Sequence, residues 1–485
     1  MDFPILLATA NARYGHPAFG LRWLHANLGP LRGRALIREF TIRDGAPHMA
    51  RTLLEYNPRL VGLGVYIWNI GLMTETARLL KAERPDVLIV VGGPEISHEY
   101  ESTAMFHTAD YLVRGEGELA FADLAGRVLA GQPPEEKVFY HPPEDLSLLT
   151  SPYDEYTDDD IARRTLYVES SRGCPYRCGF CLSSIEGGVR EFPIEPFLSG
   201  LAGLMKRGAR QFKFVDRTFN LRQGRVKAIL DFFLPRKDEI RLHFEIVPDR
   251  LTPATLDMFA QFPAGALHLE TGVQSVNEEA LEAVSRKQNI EKTVENLRFL
   301  RNQTGAAIHA DLIGGLPGET LESFGRGFDT LVALRPHELQ VGVLKRLKGT
   351  PLARYSGPHR MSFRPDPPYD VLETDLIGAR DIDRIKRFAR YFDIYYNSGN
   401  FPQSCPIIWK ASDSPFDAFM AFSDFIWAKT QQTHAFPLAE SATLLYEFLV
   451  RIWKSRLAPE EAVALIETDF RRIPGRKDRL RLHWN

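Results

Sequence analysis

The chain has 485 residues, of which 44% are hydrophobic and 25% are charged, and its formal net charge at pH 7 is -2. This balance argues against a nucleic-acid-binding surface that covers the whole protein, and no uninterrupted apolar run reaches the roughly 18 residues of a membrane span. With only four cysteines and no basic region before an apolar core at the N-terminus, we expect a cytoplasmic protein without membrane or nucleic-acid partners. Length alone predicts two or three domains of roughly 100–200 residues each.

Short apolar strands alternate with helices over the first 130 residues. The predicted strands are 3–9, 36–40, 60–66, 87–91 and 111–113. Because these strands lack polar alternation, both faces of their sheet must be covered, which indicates parallel strands. We therefore predict an open, doubly wound, Rossmann-like α/β domain over residues 1–130. Ligands of such sheets bind beyond the carboxyl ends of the strands, where the chain has small or glycine-rich turns at 11–16, 66–69, 92–95 and 114–118.

The segment 131–160 is polar and rich in proline. Prolines favour an extended backbone. We therefore predict a linker that crosses the surface and carries the first domain over the mouth of the second.

Three of the four cysteines lie within eight residues, with the spacing C-x3-C-x2-C: Cys174, Cys178 and Cys181. Thiolates at these positions of a loop broken by Gly and Pro can converge on one metal centre. A [4Fe-4S] cluster held by three cysteines keeps one iron open to a substrate or cofactor. The alternative is a structural zinc site in which Cys405 or a histidine is the fourth ligand.

Six further strands follow, separated by helices, over residues 161–352. The predicted strands are 164–169, 211–216, 241–246, 266–270, 307–313 and 338–343. Most are followed by polar or glycine-rich residues. This alternation predicts a partial (β/α)6 barrel, whose reactive side is the carboxyl edge of the strands.

The cysteine loop resembles the cluster loop of the radical S-adenosylmethionine (SAM) superfamily, including the aromatic Phe180 directly before the last cysteine. In that family the open iron binds the amino and carboxylate groups of SAM, and an electron from the cluster cleaves the sulfonium to give a carbon radical. The resemblance implies a [4Fe-4S] cluster, SAM, a small-molecule substrate and an electron donor such as flavodoxin or ferredoxin.

The strand ends of the second domain also resemble this family. By that resemblance Glu245, Glu270 and Gln274 reach the ribose or amino group of SAM, and Phe180 and Ile313 pack its adenine. Carboxylates and an amide suit these groups, because SAM presents an ammonium, a sulfonium and two hydroxyls. A salt bridge to a neighbouring basic residue is the alternative for either glutamate. One more cofactor-binding candidate, in a segment similar to an Asp-Asp-x-Phe motif of the family, is Asp216.

The first domain resembles the cobalamin-binding domain that precedes the radical domain in one large subgroup of this superfamily. The resemblance is carried by the turn 114–118 and by four consecutive cofactor-binding candidates, Gly92, Gly93, Pro94 and Glu95. The Asp-x-His-x-x-Gly motif of other cobalamin proteins is absent after the first strand, as it is in many radical members. His16 is either a metal ligand or an ordinary helix-entry residue. A sheet that kept the fold and lost the corrin is the alternative for the whole domain.

The last segment, 353–485, is predicted to be mainly helical and to close the barrel, with helices at 379–396 and 441–455. It resembles an uncharacterised C-terminal extension found in some of these proteins. The aromatic residues 391, 392, 395 and 396 are either core or a substrate-facing wall. Cys405 is a buried thiol, a hydrogen donor to a radical, or a ligand for a metalloid in the substrate. The basic end 471–481 is solvated, or binds an anion or a reductase.

These features lead to three functional hypotheses. The first is a radical SAM enzyme that transfers a methyl group to a small molecule with the help of cobalamin. The second is cobalamin-independent transfer of the SAM 3-amino-3-carboxypropyl group, as in a radical enzyme of arsinothricin biosynthesis, which the arrangement also resembles. The third is a zinc-stabilised cobalamin or redox sensor. In each enzyme reading the protein positions the cofactors and excludes water.

Overall fold

A computed structural model describes residues 2–410, 412–452, 457–472 and 480. Its two large sheets each have six strands, and every pairing within them is parallel. Both predicted α/β units are therefore confirmed. Within the residues described, no helix has the length and apolarity needed to cross a bilayer.

The first sheet has the strand order β2-β1-β3-β4-β5-β6. Its strands are β1 (Ile5–Asn11), β2 (Ala35–Thr41), β3 (Leu60–Gly64), β4 (Leu88–Gly92), β5 (Tyr111–Val113) and β6 (Val138–Phe139). Helices α1 (Phe19–Ala26) and α5 (Glu118–Leu129) pack together on one side, and α2 (Ala46–Leu54), α3 (Ile70–Glu83) and α4 (Ala104–Thr108) pack in sequence on the other. The order reverses between β1 and β3, which is where open α/β sheets bind ligands.

Close packing of a helix on the first sheet explains why β3 contains Gly62. A side chain at Gly62, on β3, would lie 2.9 Å from Leu7 and 3.0 Å from Phe121. Both neighbours are fully or almost fully buried. Only glycine therefore lets α5 pack this closely against the middle of the sheet.

The segment predicted as a linker is anchored to both domains. It contributes β6 to the first sheet and then forms the short helix α6 (Asp158–Arg163). Asp160 of this helix accepts from Arg22 of the first domain at 2.8 Å. Arg164, at the start of the second domain, donates to Glu39 of the first domain at 2.7 Å. All four side chains are largely buried, so the two domains are joined by a desolvated charge network.

The second sheet keeps nearly the chain order, β14-β13-β12-β11-β10-β7. Its strands are β7 (Leu166–Val168), β10 (Gln211–Phe214), β11 (Arg241–Ile246), β12 (Leu267–Gln274), β13 (Ala307–Gly314) and β14 (Glu338–Val343), while β8 (Ser171–Arg172) and β9 (Arg190–Glu191) form a separate antiparallel pair. The intervening helices are α7 (Ile194–Lys206), α8 (Gln223–Phe233), α9 (Pro253–Ala260), α10 (Glu278–Ala283), α11 (Ile290–Gln303) and α12 (Leu321–Ala333). This is the predicted partial barrel of six strands.

The C-terminal region is helical and lies against the open end of the barrel sheet. Its elements are α13 (Ala353–Ser356), β15 (Ser362–Phe363), β16 (Val371–Glu373), α14 (Ala379–Phe392), α15 (Ile407–Lys410), α16 (Pro415–Thr430), α17 (Leu438–Glu447) and α18 (Pro459–Arg471). Helix α14 packs on β14 and α16, and α16 packs on α12.

The aromatic residues of α14 and the turn after it belong to the core. Tyr391, Phe392 and Tyr395 are at most 2% exposed, which favours the core reading of the predicted stripe. Cys405 is also fully buried, as expected for a small apolar side chain. Residues 453–455 of the second predicted helix lie outside the described residues, as does the basic end apart from Arg471, Arg472 and Leu480.

Candidate active site

The cysteine loop begins from the β8–β9 pair. Gly173 has φ +85°, and a side chain there would collide with the carbonyl oxygen of Gly188. Glycine is therefore required where the chain turns away from β8 into the loop. After this turn Cys178 is buried, and Cys174 and Cys181 are half-buried. All three are free thiols.

Two polar side chains, Thr218 and Arg286, approach the cysteine sulfurs. The Thr218 hydroxyl lies 3.6 Å from Cys174 Sγ, and Arg286 Nη1 lies 3.6 Å from Cys178 Sγ. Burial raises the pKa of the Cys178 thiol, and Arg286 opposes this rise. Arg286 also donates to the carbonyl oxygen of Gly272, so one side chain ties the loop to the end of β12. A guanidinium beside a buried sulfur favours thiolate, the form that binds iron.

The arrangement fits an iron–sulfur cluster better than a zinc site. A tetrahedral zinc held by cysteines needs sulfurs about 3.8 Å apart, from a Zn–S bond of about 2.3 Å. Over the ranges that the structure describes, these cysteines belong to no group of three metal-ligand atoms within 4.8 Å of one another. Cys405, the proposed fourth zinc ligand, packs inside the C-terminal core instead. Three separated thiols on one loop suit the corners of a larger cluster.

Three residues predicted to contact SAM line one cavity of about 700 Å³: Phe180, Gln274 and Ile313. Gln274 has φ +71° and follows a register shift at the end of β12. Its side-chain oxygen is buried and has no hydrogen-bond partner. A buried acceptor without a partner is costly unless a ligand satisfies it. The cavity wall therefore offers an acceptor of the type that the SAM ammonium or hydroxyls would use.

The two glutamates predicted to contact SAM, on β11 and β12, lie beside basic side chains. Glu270 accepts from His243 Nε2 at 2.7 Å and from Lys213 Nζ at 3.3 Å. The hydrogen bond from His243 and the nearby Lys213 lower the pKa of Glu270 to about 2. Burial raises the pKa of Glu245 to about 7, although Arg217 lies 3.9 Å from it. Contact of either glutamate with SAM stays a prediction.

Asp216 supports the loop from below. It is 1% exposed and accepts hydrogen bonds from the Ser170 hydroxyl at 2.6 Å, the Ser170 amide at 2.9 Å and the Ser171 hydroxyl at 2.6 Å. These bonds fix the strand residues that lead into the cysteines. Its predicted contact with the cofactor stays a prediction.

A second cavity, of about 370 Å³, lies between the two sheets. Its walls come from the glycine-rich carboxyl ends of the first sheet and from the residues around the cysteine loop. Three of the four predicted cofactor-binding residues, Gly92, Gly93 and Pro94, line it, and their contact with a cofactor stays a prediction. Glu95 does not line the cavity: it accepts from the Tyr369 hydroxyl at 2.5 Å and pairs with Lys348 at 2.9 Å, which links the first domain to the region after the barrel.

Arg172 joins the two sheets at this cavity, and the sequence analysis did not identify it. Its guanidinium contacts Glu116 at 2.8 Å, Glu118 at 2.7 Å and Glu169 at 3.1 Å, and lies 4.7 Å from the Trp23 ring. Burial raises the pKa of Glu169 to about 7. The available signal was the pair of acids, Glu116 and Glu118, at the predicted turn 114–118. The basic residue of that turn, Arg114, donates elsewhere, to the Ser97 carbonyl oxygen.

Three family models match the chain. "B12 binding domain" matches residues 5–125, and "Radical SAM superfamily" matches residues 168–331. "Protein of unknown function (DUF4080)" matches residues 357–481. Residues 168–331 therefore form a radical SAM domain, which follows a B12-binding domain. A radical SAM domain implies a [4Fe-4S] cluster and SAM, and its cysteine loop is the one described above.

Two curated relatives are similar to this radical SAM protein. The cobalamin-dependent radical SAM methyltransferase TokK of Streptomyces tokunonensis is 28% identical over 334 residues, which cover 61% of this chain and 48% of TokK. The 2-(S-pantetheinyl)-carbapenam-3-carboxylate methyltransferase of Streptantibioticus cattleyicolor is 28% identical over 332 residues, 61% of this chain and 47% of that one. The chain thus matches about half the length of these relatives.

Solved structures share the fold. TsrM from Kitasatospora setae, solved with cobalamin and a [4Fe-4S] cluster bound, has a TM-score of 0.63 at 17% identity and covers 97% of this chain and 100% of its own. OxsB, solved with aqua-cobalamin, has a TM-score of 0.65 at 16% identity and covers 97% of this chain and 79% of its own. The arrangement of all three regions is therefore that of known cobalamin radical SAM enzymes.

Proposed function

We propose that the protein is a cobalamin-dependent radical SAM enzyme that transfers a methyl group to a small-molecule substrate. The observation that carries this proposal is the cavity of about 370 Å³ shared by the glycine-rich edge of the first sheet and the cysteine-loop side of the barrel. A cofactor bound there lies beside the cluster site. The family matches and the curated relatives, two of which are methyltransferases, support the same function.

The residues of the first domain fit a large, flat cofactor. The cavity extends between the first sheet and helices α1 and α5, where it is lined by Leu21, Leu24 and Phe121. These side chains form an apolar slot that suits an aromatic base of the cofactor. Gly93 has φ +112°, and a side chain there would lie 2.5 Å from the Val65 carbonyl oxygen. Glycine at this position lets the backbone after β4 pass close to Val65, which leaves room at the sheet edge for the flat face of a corrin.

The residues of this chain have separate tasks in such a reaction. Cys174, Cys178 and Cys181 would hold the cluster, and Phe180 and Gln274 would orient SAM at the barrel edge. When bound, the cluster supplies the electron that cleaves SAM, and cobalamin carries the methyl group. Buried charge contacts between the domains keep the two cofactor sites at one separation and exclude water from the space between them.

We also propose a flavodoxin or ferredoxin as the electron donor and the cytoplasm as the location. A radical SAM enzyme requires a reductant, and free cysteines that must hold a cluster suit a reducing compartment. Reduction of the reconstituted cluster by purified flavodoxin, monitored by loss of visible absorbance, tests the donor. No change in absorbance with either protein would contradict it.

The experiment that tests the reaction identifies which bond of SAM breaks. Protein reconstituted anaerobically with iron, sulfide and hydroxocobalamin is incubated with reductant and SAM, and the products are identified by mass spectrometry. Methyl transfer predicts S-adenosylhomocysteine together with 5′-deoxyadenosine. Methylthioadenosine without S-adenosylhomocysteine would instead establish transfer of the aminocarboxypropyl group. Intact SAM with a fully loaded cluster would refute both reactions.

A further inference from the structure

The interior of the barrel contains a row of histidines below the predicted SAM site. His243 on β11, His268 on β12 and His309 on β13 all point to the inner face of their strands, where residues alternate with the buried outer face. His243 and His268 are register partners, and their rings stack with centroids 4.4 Å apart. His309 is the register partner of Glu338 on β14. Four adjacent strands thus bring three imidazoles and a carboxylate into one part of the barrel, although His309 is offset by two residues from the register partner of His268.

Three of these side chains have the spacing of metal ligands. His268, His309 and Glu338 each offer one ligand atom, and the three atoms lie within 4.8 Å of one another. His309 Nδ1 is 3.5 Å from Glu338 Oε2. Tetrahedral zinc with bonds of about 2.05 Å places its ligand atoms about 3.3 Å apart. His268 Nε2 is buried without a hydrogen-bond partner, as a free ligand atom would be.

The surroundings also resemble those of a metal site. Asp311 Oδ1 lies 3.0 Å from His309 Nε2, the ring nitrogen opposite to the one that faces Glu338. A metal-bound histidine usually donates its outer N–H to a carboxylate. Asp311 lies within reach for this role, although the two atoms are not aligned for a hydrogen bond here. His243 is bonded to Glu270, so it stacks on His268 without having its Nε2 free for a metal. Histidine and carboxylate donors together suit zinc.

The Glu338 side of the site borders the cavity of about 700 Å³ that also contains Gln274. Both Asp311 and Glu338 line that cavity. His268 precedes Gly272 by four residues on β12, which is about 13 Å along a strand. A metal bound here would lie further inside the barrel than the carboxyl ends of the strands, where SAM is predicted to bind. Its fourth coordination position would be open to the cavity.

We propose that the barrel binds a zinc ion through His268, His309 and Glu338, with an open fourth position for water or a donor atom of the substrate. This site is separate from the cluster and does not depend on cobalamin or on the reaction proposed above.

Metal content distinguishes the two metal sites. Untagged protein is dialysed against a chelator, given zinc, desalted and analysed for zinc and iron. One zinc per chain is expected, and it should remain in a variant with all three cluster cysteines changed to Ala, which loses iron. The variant His268→Gln with His309→Gln should lose zinc and keep iron, which also shows that it folds. The matched control His243→Gln should keep both metals.

Cobalt(II) titration of the unmodified protein gives a second readout if the double variant fails to fold. One equivalent is expected to give the visible absorption of four-coordinate cobalt with nitrogen and oxygen ligands. The proposal is overturned if the unmodified protein retains no zinc, if zinc leaves with the cluster cysteines, or if a folded His268→Gln, His309→Gln variant keeps it.

Discussion

The two large sheets both have six parallel strands, but they differ in strand order and therefore in what their faces can do. The order of the first sheet reverses beside β1, so helices cover both faces. The order of the second is almost that of the chain, so its helices lie outside and one face of every strand points into the barrel. Strand order thus decides whether polar residues can lie only at the edge of a sheet or also inside it.

Burial along the strands shows the same difference. All seven residues of β1 are buried, and all five of β3. Along β12 buried and half-buried residues alternate, and the half-buried positions include His268, Glu270 and Gln274. The first sheet therefore offers a cofactor an apolar slot with a glycine rim, whereas the second offers charged and hydrogen-bonding groups. Variants at each sheet can test this division of tasks.

The largest effect is expected at the cysteine loop of the second sheet. Changing Cys178 to Ala removes one of three ligands, so we expect complete loss of the cluster and of SAM cleavage. Iron content and product formation after anaerobic reconstitution are the measurements. The control is Cys405→Ala in the C-terminal core. It should keep full iron content, and equal iron in both variants would contradict the assignment.

The next effect concerns the contact between the sheets. Arg172→Met leaves three buried carboxylates without their shared guanidinium. Removing one partner of a buried ion network costs about 3–5 kcal/mol, so the midpoint of urea unfolding should fall strongly. As a control, Arg222 is 62% exposed and pairs with Glu191 at 3.0 Å. Its change to Met should cost less than about 1 kcal/mol. Similar losses in both variants would show that the contact does not hold the domains.

A smaller effect, confined to the first sheet, is expected at its glycine rim. Gly93→Val should weaken cobalamin binding by at least about tenfold, or ~1.4 kcal/mol, because a side chain there would collide with the Val65 carbonyl. Iron content should not change. The control is Gly71→Ala on α3, where a side chain would meet no neighbour within 4 Å. Affinity is measured by titration with hydroxocobalamin, and equal affinities in the two variants would contradict the placement of the cofactor.

The last effect appears only as a change of stability with pH and concerns the carboxyl edge of the second sheet. Burial raises the pKa of Glu319 to about 8, and the Ser275 hydroxyl donates to its Oε1 at 2.5 Å. Between about pH 5 and pH 8 the folded chain holds a proton that the unfolded chain has lost, so this group lowers stability as pH rises. Glu319→Gln removes this pH-dependent loss. Relative to the unmodified protein, the free energy of unfolding of the variant should therefore rise by up to about 1.4 kcal/mol per pH unit.

Melting temperatures across this pH range measure the Glu319 effect. The exposed substitution Glu322→Gln, on the helix α12 that begins two residues after Glu319, removes the same formal charge and should leave the pH slope unchanged. A Glu319→Gln variant whose slope equals that of the unmodified protein would contradict a protonated Glu319.

Every strand of the two large sheets except β6 could be predicted from the sequence, because each is a short segment with regularly placed apolar residues between turn residues. The cysteine loop could be predicted for a similar reason, since its three ligands are neighbours in sequence. Arg172 could not, because its partners Glu116 and Glu118 are 56 and 54 residues away and meet it only when the domains pack.

Glu270 illustrates the same limit inside one domain. Its side chain was expected at SAM, but its observed partners Lys213 and His243 come from two other strands and depend on their register. The sequence predicts the strand on which each of the three residues lies. It does not predict the register of these strands, and so does not show which residues face one another. The predicted domain boundaries at residues 130, 160 and 352 stay predictions, although β6 lies in the segment between the first two.

The central claim is that the edges of the two sheets hold cobalamin and the cluster side by side. The most direct measurement is the cobalt and iron content of protein reconstituted anaerobically with iron, sulfide and hydroxocobalamin and then passed through a desalting column. The account predicts one cobalt and four irons per chain, with cobalt lost selectively in Gly93→Val. A full complement of iron with no retained cobalt would contradict it.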